Sequence, residues 1–599
     1  MARRSDAVWG VEGERLRQGR PALRRRGDDR AQTGLLPPGR LTIRSYSIST
    51  VCNVRLPLPE VSLWRGEGWG GEVPNTLYPT SNRDIDEART YHAATKHSYW
   101  SVRLGGHSLD WANKPRPYKL YPGLPVVSLP HNVTPPAAEA LDAVSAFPST
   151  GTGALDLTGL AQILFFCAGV TKKKVYPGGE TQHFRAASCT GALYEIEIYA
   201  VCSDLPGLSA GVYHFNPGDF ALRRLREGDF RGELARVAAG EEAISGAPVT
   251  LVLTAIFWRN AWKYQARAYR HFFWDAGTIL ANLLATAASG QFAMRVVTGF
   301  LDASVDHLLG LDTEREASLC LVPIGAGSPA PQPSSDIPPI APDTVPLSKR
   351  EADYPLITQI RAASMLLSQE EVRGWRSAYS SRSVPPSGGK YFPLTPLERE
   401  CLPPRTLGEV ILRRGSTRQF AQLPITCRQL STIVERSSRG IPADFLGGPE
   451  TTLLNIYLIV NSVEDLPTGA FYYSPAEQAV ELLKEGTFRR EAGHLCLEQG
   501  LGIESSAVVF FMTDLERLLH RYGNRGYGAA QFEAGIVGGK MYLCAYALGL
   551  GATGTTFYDD DVTAFFSPHA RGKVTLLAVA LGRSARTAGR IKLLRPGAG

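Results

Sequence analysis

At 599 residues the chain is too long for one hydrophobic core, and two domains of roughly 200 residues each are the expected division. Its composition, 44% hydrophobic, 20% charged and 9% aromatic, is that of a folded globular protein, and its net charge of +7 gathers largely in the arginines of the first fifty residues, leaving no basic face on a folded domain and excluding nucleic acid as the expected partner. Nine cysteines, odd in number and without CxxC spacing, exclude a disulfide framework or a zinc-finger pattern and suit a reducing, cytoplasmic compartment; no apolar run reaches a membrane span, since Asp275 and Asn282 interrupt the best one, Phe272 to Ala288.

Residues 1–85 carry little pattern. They lack the apolar core of a secretory signal and include Asp6, Glu12, Glu14, Asp28 and Asp29, so a disordered or misassigned start is expected. Residues 86–136, with YHAATKHSYWSVR from Tyr91 and then HSLDWANKPRPYKLYPGLPVVSLP, are expected to lie as an extended segment on the core. Their histidines, His92, His97 and His107, have no nearby set of carboxylates or thiols. Packing or hydrogen bonding is therefore expected of them, and no metal. A first domain follows over 137–325. The span 326–395 opens as a proline-rich linker (AGSPAPQPSSDIPPIAPDTVP) and continues into a helix from Ile357 to Tyr379. The second domain occupies 396–599.

The two domains repeat one another. GVYHFNPGDFALRRLREGDFR at 211–231 lines up with GAFYYSPAEQAVELLKEGTFR at 469–489, with Pro217 on Pro475 at a displacement of 475 − 217 = 258. The same displacement carries Tyr199 to Tyr457, Gly228 to Gly486, Tyr264 to Tyr522, Arg267 to Arg525, Tyr269 to Tyr527 and Gly277 to Gly535. Each unit reads as helix, strand, hairpin strand, helix, long apolar helix and strand, which predicts an α+β sandwich and not a doubly wound alternation. In the second unit the long helix is expected from about Gln531 to Leu548. A glycine hinge at Gly549, Gly551 and Gly554 follows, then a strand entering an acidic turn at Asp559, Asp560 and Asp561.

Gly549 to Gly554 satisfies GxGxxG, but a dinucleotide fingerprint needs a strand before it and a helix after, and here the order is reversed. Glycines after a helix can instead bring backbone N–H groups close to a flat ring. Arg413 to Phe420 (RRGSTRQF) concentrates three guanidiniums and two hydroxyls. That suits a phosphate, and it equally suits a solvated basic turn. Ser188 to Tyr194 (SCTGALY) leads into a strand and reads either as a ligand cradle or as a plain turn. Lys263-Tyr264 precedes the long helix of domain one, as donors over a ligand or as a surface lysine beside a core tyrosine.

Taken together, these residues resemble the flavin-dependent nitroreductase superfamily, and within it the SagB-type dehydrogenase or azoline (thiazoline) oxidase branch, here tandemly duplicated. RxSxR at Arg414, Ser416 and Arg418 resembles the family's FMN-phosphate motif. SCTGALY is similar to the branch's small-residue segment, and Lys263-Tyr264 and Arg521-Tyr522 to its lysine-tyrosine position. The helix followed by GLGATG is similar to the segment passing the isoalloxazine. The resemblance implies two tandem FMN-dependent nitroreductase-like domains forming an internal pseudo-dimer, with each half supplying part of a flavin site. It assigns cofactor contacts to Arg414, Ser416, Arg418, Ser188, Thr190, Gly191, Gly549, Leu550, Gly551, Ala552 and Arg583, catalysis to Lys263 and Tyr264, and NAD(P)H as a candidate electron donor. The losses are complementary. Arg414 and Arg418 correspond to Val144 and Pro148 in domain one, GLGATG corresponds to Gly290–Arg295, and SCTGALY falls on Leu446–Thr452. One working FMN site and one decayed site are therefore expected, in a chain able to act as a monomer. The function expected is an FMN oxidoreductase acting on a small-molecule or peptide azoline-type substrate. An NAD(P)H-dependent nitro- or quinone-reductase and a non-catalytic flavin-binding partner of a biosynthetic complex are the alternatives.

Overall fold

The computed structural model describes residues 82–176, 179, 181–333, 336–378, 388–585 and 596. The expectation for the start of the chain lies outside these residues up to position 81. From Asn82 the chain is tied down: Asn82 Nδ2 donates to the Tyr522 carbonyl at 3.0 Å and its carbonyl accepts the Asn524 amide at 2.8 Å.

Two antiparallel sheets form the frame. The first has six strands in the spatial order Val126–Ser128, Ala221–Glu227, Gly211–Asn216, Ile196–Cys202, Val249–Ile256 and Glu316–Ile324. The second has seven, in the order Gly551–Thr555, Lys573–Gly582, Ala507–Asp514, Asn455–Val460, Gly469–Ser474, Ala479–Glu485 and Lys390–Pro393. The central strands of both sheets are buried along their length, as apolar runs such as VTLVLTAI and AVVFFMTD require when both faces are covered. Helices cover them, giving an α+β architecture of two tandem domains. The repeat holds to the residue: Gly211–Asn216 and Gly469–Ser474, Val249–Ile256 and Ala507–Asp514, Arg231–Val237 and Arg489–Leu495, and Phe257–Tyr264 and Leu515–Tyr522 each begin and end at one common displacement.

The halves meet along two long helices, Ala268–Ser289 and Asn524–Ala547. A Cβ built on Gly277 would stand 2.7 Å from the backbone of Gly535, so the equivalent glycines touch each other where the helices cross. Phe273 meets Phe532 with ring centroids 5.1 Å apart, and Trp274 Nε1 donates to Gln531 Oε1 at 2.5 Å. Phe273 is the counterpart of Gln531 and Trp274 of Phe532. The two contacts are thus one contact seen twice, the signature of a two-fold interface formed within a single chain. A second exchange lies nearby: the Leu407 amide donates to the Ala138 carbonyl at 2.9 Å and the Ala140 amide to the Arg405 carbonyl at 3.0 Å.

Several sequence expectations are corrected. The second long helix starts at Asn524, a full two turns before Gln531, because Arg525, Tyr527 and the alanines after them are buried against domain one. The acidic turn is the first turn of a helix, Asp559–Phe566, where carboxylates suit the unsatisfied amides of a helix start. The expected helix from Ile357 to Tyr379 is two, Pro355–Ala363 and Gln369–Arg376. Ser368 caps the second by accepting the Glu371 amide. The segment 86–136 is extended only after two helices, Asp86–Ala94 and Tyr99–Leu104; the first turns Ala88 and Tyr91 inward. The proline-rich linker lies on domain one, with Arg226 donating to the Pro338 carbonyl at 2.8 Å and the Val345 amide to the Leu120 carbonyl at 3.0 Å. Among the described residues no helix is long and apolar enough to cross a membrane, and every cysteine is a free thiol.

Candidate functional site

The helix Leu407–Arg413 opens with a capping box between Thr406 and Glu409 and delivers the RRGSTR loop to the domain boundary. Arg414, 7% exposed, spends Nε on the Ala186 carbonyl at 2.9 Å and Nη2 on the Arg185 carbonyl at 3.2 Å. Arg414 of domain two is thereby seated two residues from Ser188 of domain one. Lys172 closes the contact from the hairpin Val170–Val175 and Thr181–Arg185, donating to the Arg413 carbonyl at 3.3 Å and to the Arg414 carbonyl. Burial, with the Arg414 guanidinium beside it, brings the Lys172 ammonium down to about 7.

Ser416 Oγ is 3.3 Å from the Tyr542 hydroxyl, which also accepts the Gly554 amide at 2.5 Å. One tyrosine of the second long helix therefore links the RRGSTR loop to the glycine strand. Thr417 donates its amide to the Ala552 carbonyl at 3.0 Å, and its buried Oγ1 has no hydrogen-bond partner among the described residues. A Cβ on Gly551 would stand 2.2 Å from that oxygen, so only glycine leaves it room. Arg418 is solvent-exposed and is electrostatically coupled to Tyr542, Tyr264 and Tyr546. Gly549, with φ 77°, ends the long helix beside Arg405, while Leu550 is buried and donates its amide to the Ala545 carbonyl at 2.8 Å. Arg583 lies at the far end of the same loop system, with Nε donating to the Pro424 carbonyl at 2.9 Å.

On the domain one side, Gly191 takes φ 63°, and a Cβ there would stand 3.0 Å from the Tyr264 hydroxyl. Ser188 offers its carbonyl to Thr278 Oγ1 at 2.6 Å. Contrary to the contact expected from the sequence, Thr190 is not available to a cofactor through its hydroxyl: both its amide and Oγ1 donate to Asp275 at 2.9 Å, because a tight turn needs those groups satisfied. Lys263 Nζ lies 5.4 Å from the centre of the Tyr264 ring, and that ring meets His271 edge-on at 4.5 Å. Burial first, then the Asp275 charge, push the Tyr264 phenol well up, so it keeps its proton.

The opposite corner is closed. The Phe292 ring lies against Gly153 and Gly290, where added Cβ atoms would come within 2.9 Å and 2.5 Å of it. The Gly153 amide donates to the Gln291 carbonyl at 3.0 Å and the Met294 amide to the Pro148 carbonyl at 2.6 Å. Chain therefore fills the corner of domain one that follows its long helix.

The sequence reading missed Lys172, Tyr542, Asp275 and Glu195. The histidines have structural partners: His92 Nδ1 is 3.2 Å from the Tyr527 hydroxyl, the His97 amide donates to Asp559 at 2.8 Å, and His107 Nε2 is 3.2 Å from the Trp262 carbonyl.

With this geometry in hand, comparison with known proteins gives a consistent picture. The nitroreductase family model matches residues 183–326 and 411–583, together more than half of the chain. A protein of Methanocaldococcus jannaschii (MJ1384) named as a nitroreductase is 29% identical over 171 residues, 28% of this chain and 81% of that protein. A crystal structure from Anabaena variabilis ATCC 29413, also named as a nitroreductase, is similar with a TM-score of 0.66 at 24% identity, covering 83% of this chain and 99% of that one. A chain of the Escherichia coli microcin synthetase McbBCD complex, solved with truncated pro-MccB17 bound, is 20% identical with a TM-score of 0.27, covering 41% of this chain and 93% of that one.

Proposed function

The chain belongs to the nitroreductase family, and from that premise we propose that it is an FMN-dependent oxidoreductase with one flavin site between its two domains. The observation that carries the reading is Arg414 of domain two, hydrogen-bonded to the Arg185 and Ala186 carbonyls of domain one, while Phe292 fills the opposite corner. The donor set suits a phosphate-bearing flavin. Arg414 and Arg418 share one short loop with the hydroxyls of Ser416 and Thr417, the Thr417 hydroxyl being buried and without a partner among the described residues, and Gly551 and Gly191 are the small residues that fit against Thr417 and the Tyr264 hydroxyl.

When bound, FMN would supply the two-electron chemistry. The chain's own groups do the rest. Arg414, Ser416, Thr417 and Arg418 hold the phosphate, with Arg583 reinforcing their loop through Pro424. Gly549, Leu550, Gly551 and Ala552 present backbone to the ring, and Ser188 and Gly191 close the other side. Lys263 and Tyr264 are assigned to the substrate side, where the Tyr264 phenol keeps its proton and offers a hydrogen bond, and Lys263 in its neutral form accepts the proton lost on oxidation. The motif order favours the SagB-type branch, so the substrate class is an azoline ring in a peptide or small molecule.

Absorbance of purified protein, followed by flavin release on denaturation, tests the reading. Close to one FMN per chain is expected. Two per chain, or none after reconstitution, would defeat it. Mixing the yellow protein with NAD(P)H then decides direction: rapid bleaching identifies a nitro- or quinone-reductase, and persistence of the flavin band excludes it, leaving turnover of an azoline substrate to separate an oxidase from a non-catalytic flavin-binding partner. Lys263→Ala should leave the flavin bound and lower turnover by roughly 10²- to 10⁴-fold.

A further inference from the structure

We infer that Asp275 and Glu195 form one acid pair holding a single proton, and that this pair positions the Ser188–Leu193 segment against Tyr264. The role assigned to that segment rests on the proposed interdomain site; the pair itself is read from this chain's own atoms.

Asp275 accepts the Thr190 amide and the Thr190 hydroxyl, both at 2.9 Å. Cys189 Sγ lies 3.3 Å from Asp275 Oδ2 and 3.4 Å from Glu195 Oε2 while accepting the Tyr194 amide at 3.0 Å. A thiol owns one hydrogen and can donate to one of the two carboxyls. The second close approach then sets sulfur lone pairs against a charged oxygen, unless a hydrogen comes from the carboxyl side. Glu195 is 0% exposed, and its Oε1 has no partner among the described residues. An ionised carboxylate with a bare buried oxygen is costly, and two in one dry pocket cost more. A single proton across the pair removes both costs. Burial, with Glu195 beside it, pushes Asp275 well above the usual carboxylate range against the pull of the Thr190 donors.

The other half of the molecule serves as an internal control. At the common displacement Asp275 corresponds to Glu533, which accepts Thr452 Oγ1 at 2.5 Å and the Leu453 amide at 2.8 Å. There a single acid serves, and it binds the counterparts of Tyr194 and Glu195, not that of Thr190. The position of Glu195 is held there by Leu453. The second acid is not a requirement of the fold; it belongs to the half that keeps the small-residue segment. The ionisable groups around the pair are Cys189 and Tyr194 from the segment, Tyr264 from the preceding helix and Arg185, whose guanidinium lies 4.8 Å from the centre of the Tyr194 ring and lines the same small cavity as Asp275 and Cys189, with Arg418 and Arg414 acting on Tyr264 and Cys189 from domain two.

A folded carboxyl raised above its unfolded value stabilises below that value, and the stabilisation fades as pH rises through the folded titration. The segment should therefore loosen on the alkaline side. The test uses full-length wild type, Glu195→Gln and Glu195→Leu, with thermal midpoints and kcat/KM followed from pH 5 to 9 and metal content measured on each. An amide keeps its hydrogens at every pH, so Glu195→Gln should match wild type at low pH and lose the alkaline limb in both readouts. Glu195→Leu should fold, as the Leu453 side does, and lower kcat/KM by roughly ten- to hundredfold at all pH values, because the segment is no longer held in register. An alkaline limb unchanged in Glu195→Gln would overturn the proposal. So would one equivalent of metal in the wild type, since Cys189, Glu195 and Asp275 have ligand atoms within 4.8 Å of one another. If the protein proves free of flavin, the midpoint series still decides the pair, and the flavin reading fails separately.

Discussion

Asp559 accepts Arg270 Nη1 at 2.6 Å, Arg267 Nη1 at 3.0 Å and the His97 amide at 2.8 Å, so one carboxylate of domain two fastens both domain one's long helix and the N-terminal segment. Burial alone would raise its pKa; Arg267 and Arg270 outweigh that and hold it far below the ordinary 3.8. Removing the charge leaves two buried guanidiniums uncompensated, which costs about 3–5 kcal/mol. Asp559→Asn should lose that much at pH 7 in urea unfolding. Because the folded value is depressed, the wild-type advantage is present above the unfolded carboxylate value and fades as pH falls below about 4. A gap that stays constant down to pH 2.5 would show that Asp559 does not carry it. The same scale explains what was legible in the candidate site. Arg414, Ser416 and Arg418 stand at alternate positions within five residues of one loop, so their pattern stands out. Lys172 sits in TKKKV, where exposed Lys173 and Lys174 make the run look like a solvated hairpin. Asp275 was visible only as an interruption in an apolar stretch, because the groups that give it meaning arrive from 85 positions away.

Among elements, the crossing of the long helices is the most demanding. A Cβ on Gly535 would meet the Trp274 carbonyl oxygen at 2.7 Å and the Trp274 Cα at 2.8 Å, and backbone cannot swing aside as a side-chain tip can. Gly535→Val should cost about 3 kcal/mol by overpacking, read as a lower urea midpoint. Gly374→Ala, at a helix position with nothing within 4 Å, should instead gain up to about 1 kcal/mol. Equal effects at the two sites would refute the close crossing. Elements were legible where local pattern and burial agree. The repeated strands and helices keep one register because each pair answers the same packing demand. Boundaries were missed where the deciding partner is distant. Asn524–Gln531 shows no apolar periodicity, and its helix is held by Asn82, Ala363 and domain one. The turn at Asp559 became a helix start because its carboxylate had two arginines to meet.

For the molecule as a whole, a two-fold interface of the kind that two chains can form is here made inside one, and that changes its thermodynamics. Buried apolar side chains from both domains form one continuous cluster, including Phe273, Leu280 and Leu284 on one long helix and Phe532, Ile536 and Met541 on the other. Neither long helix could expose that surface to water without losing about 25 cal/mol for each Å² of apolar area uncovered. The two halves should therefore unfold together, in one calorimetric transition. The linker keeps each half at a fixed effective concentration of the other, so dilution cannot separate them. A two-chain dimer gains stability with protein concentration by mass action, whereas a covalently joined pair does not. The thermal midpoint should stay constant over roughly a hundredfold range of concentration, across which a dimer would shift by about RT ln 100, or 2.7 kcal/mol, in stability. Sedimentation should give a species of 65.0 kDa throughout. A midpoint that climbs with concentration, or two resolved transitions, would mean that the halves do not share the core that places Arg414 against Ala186.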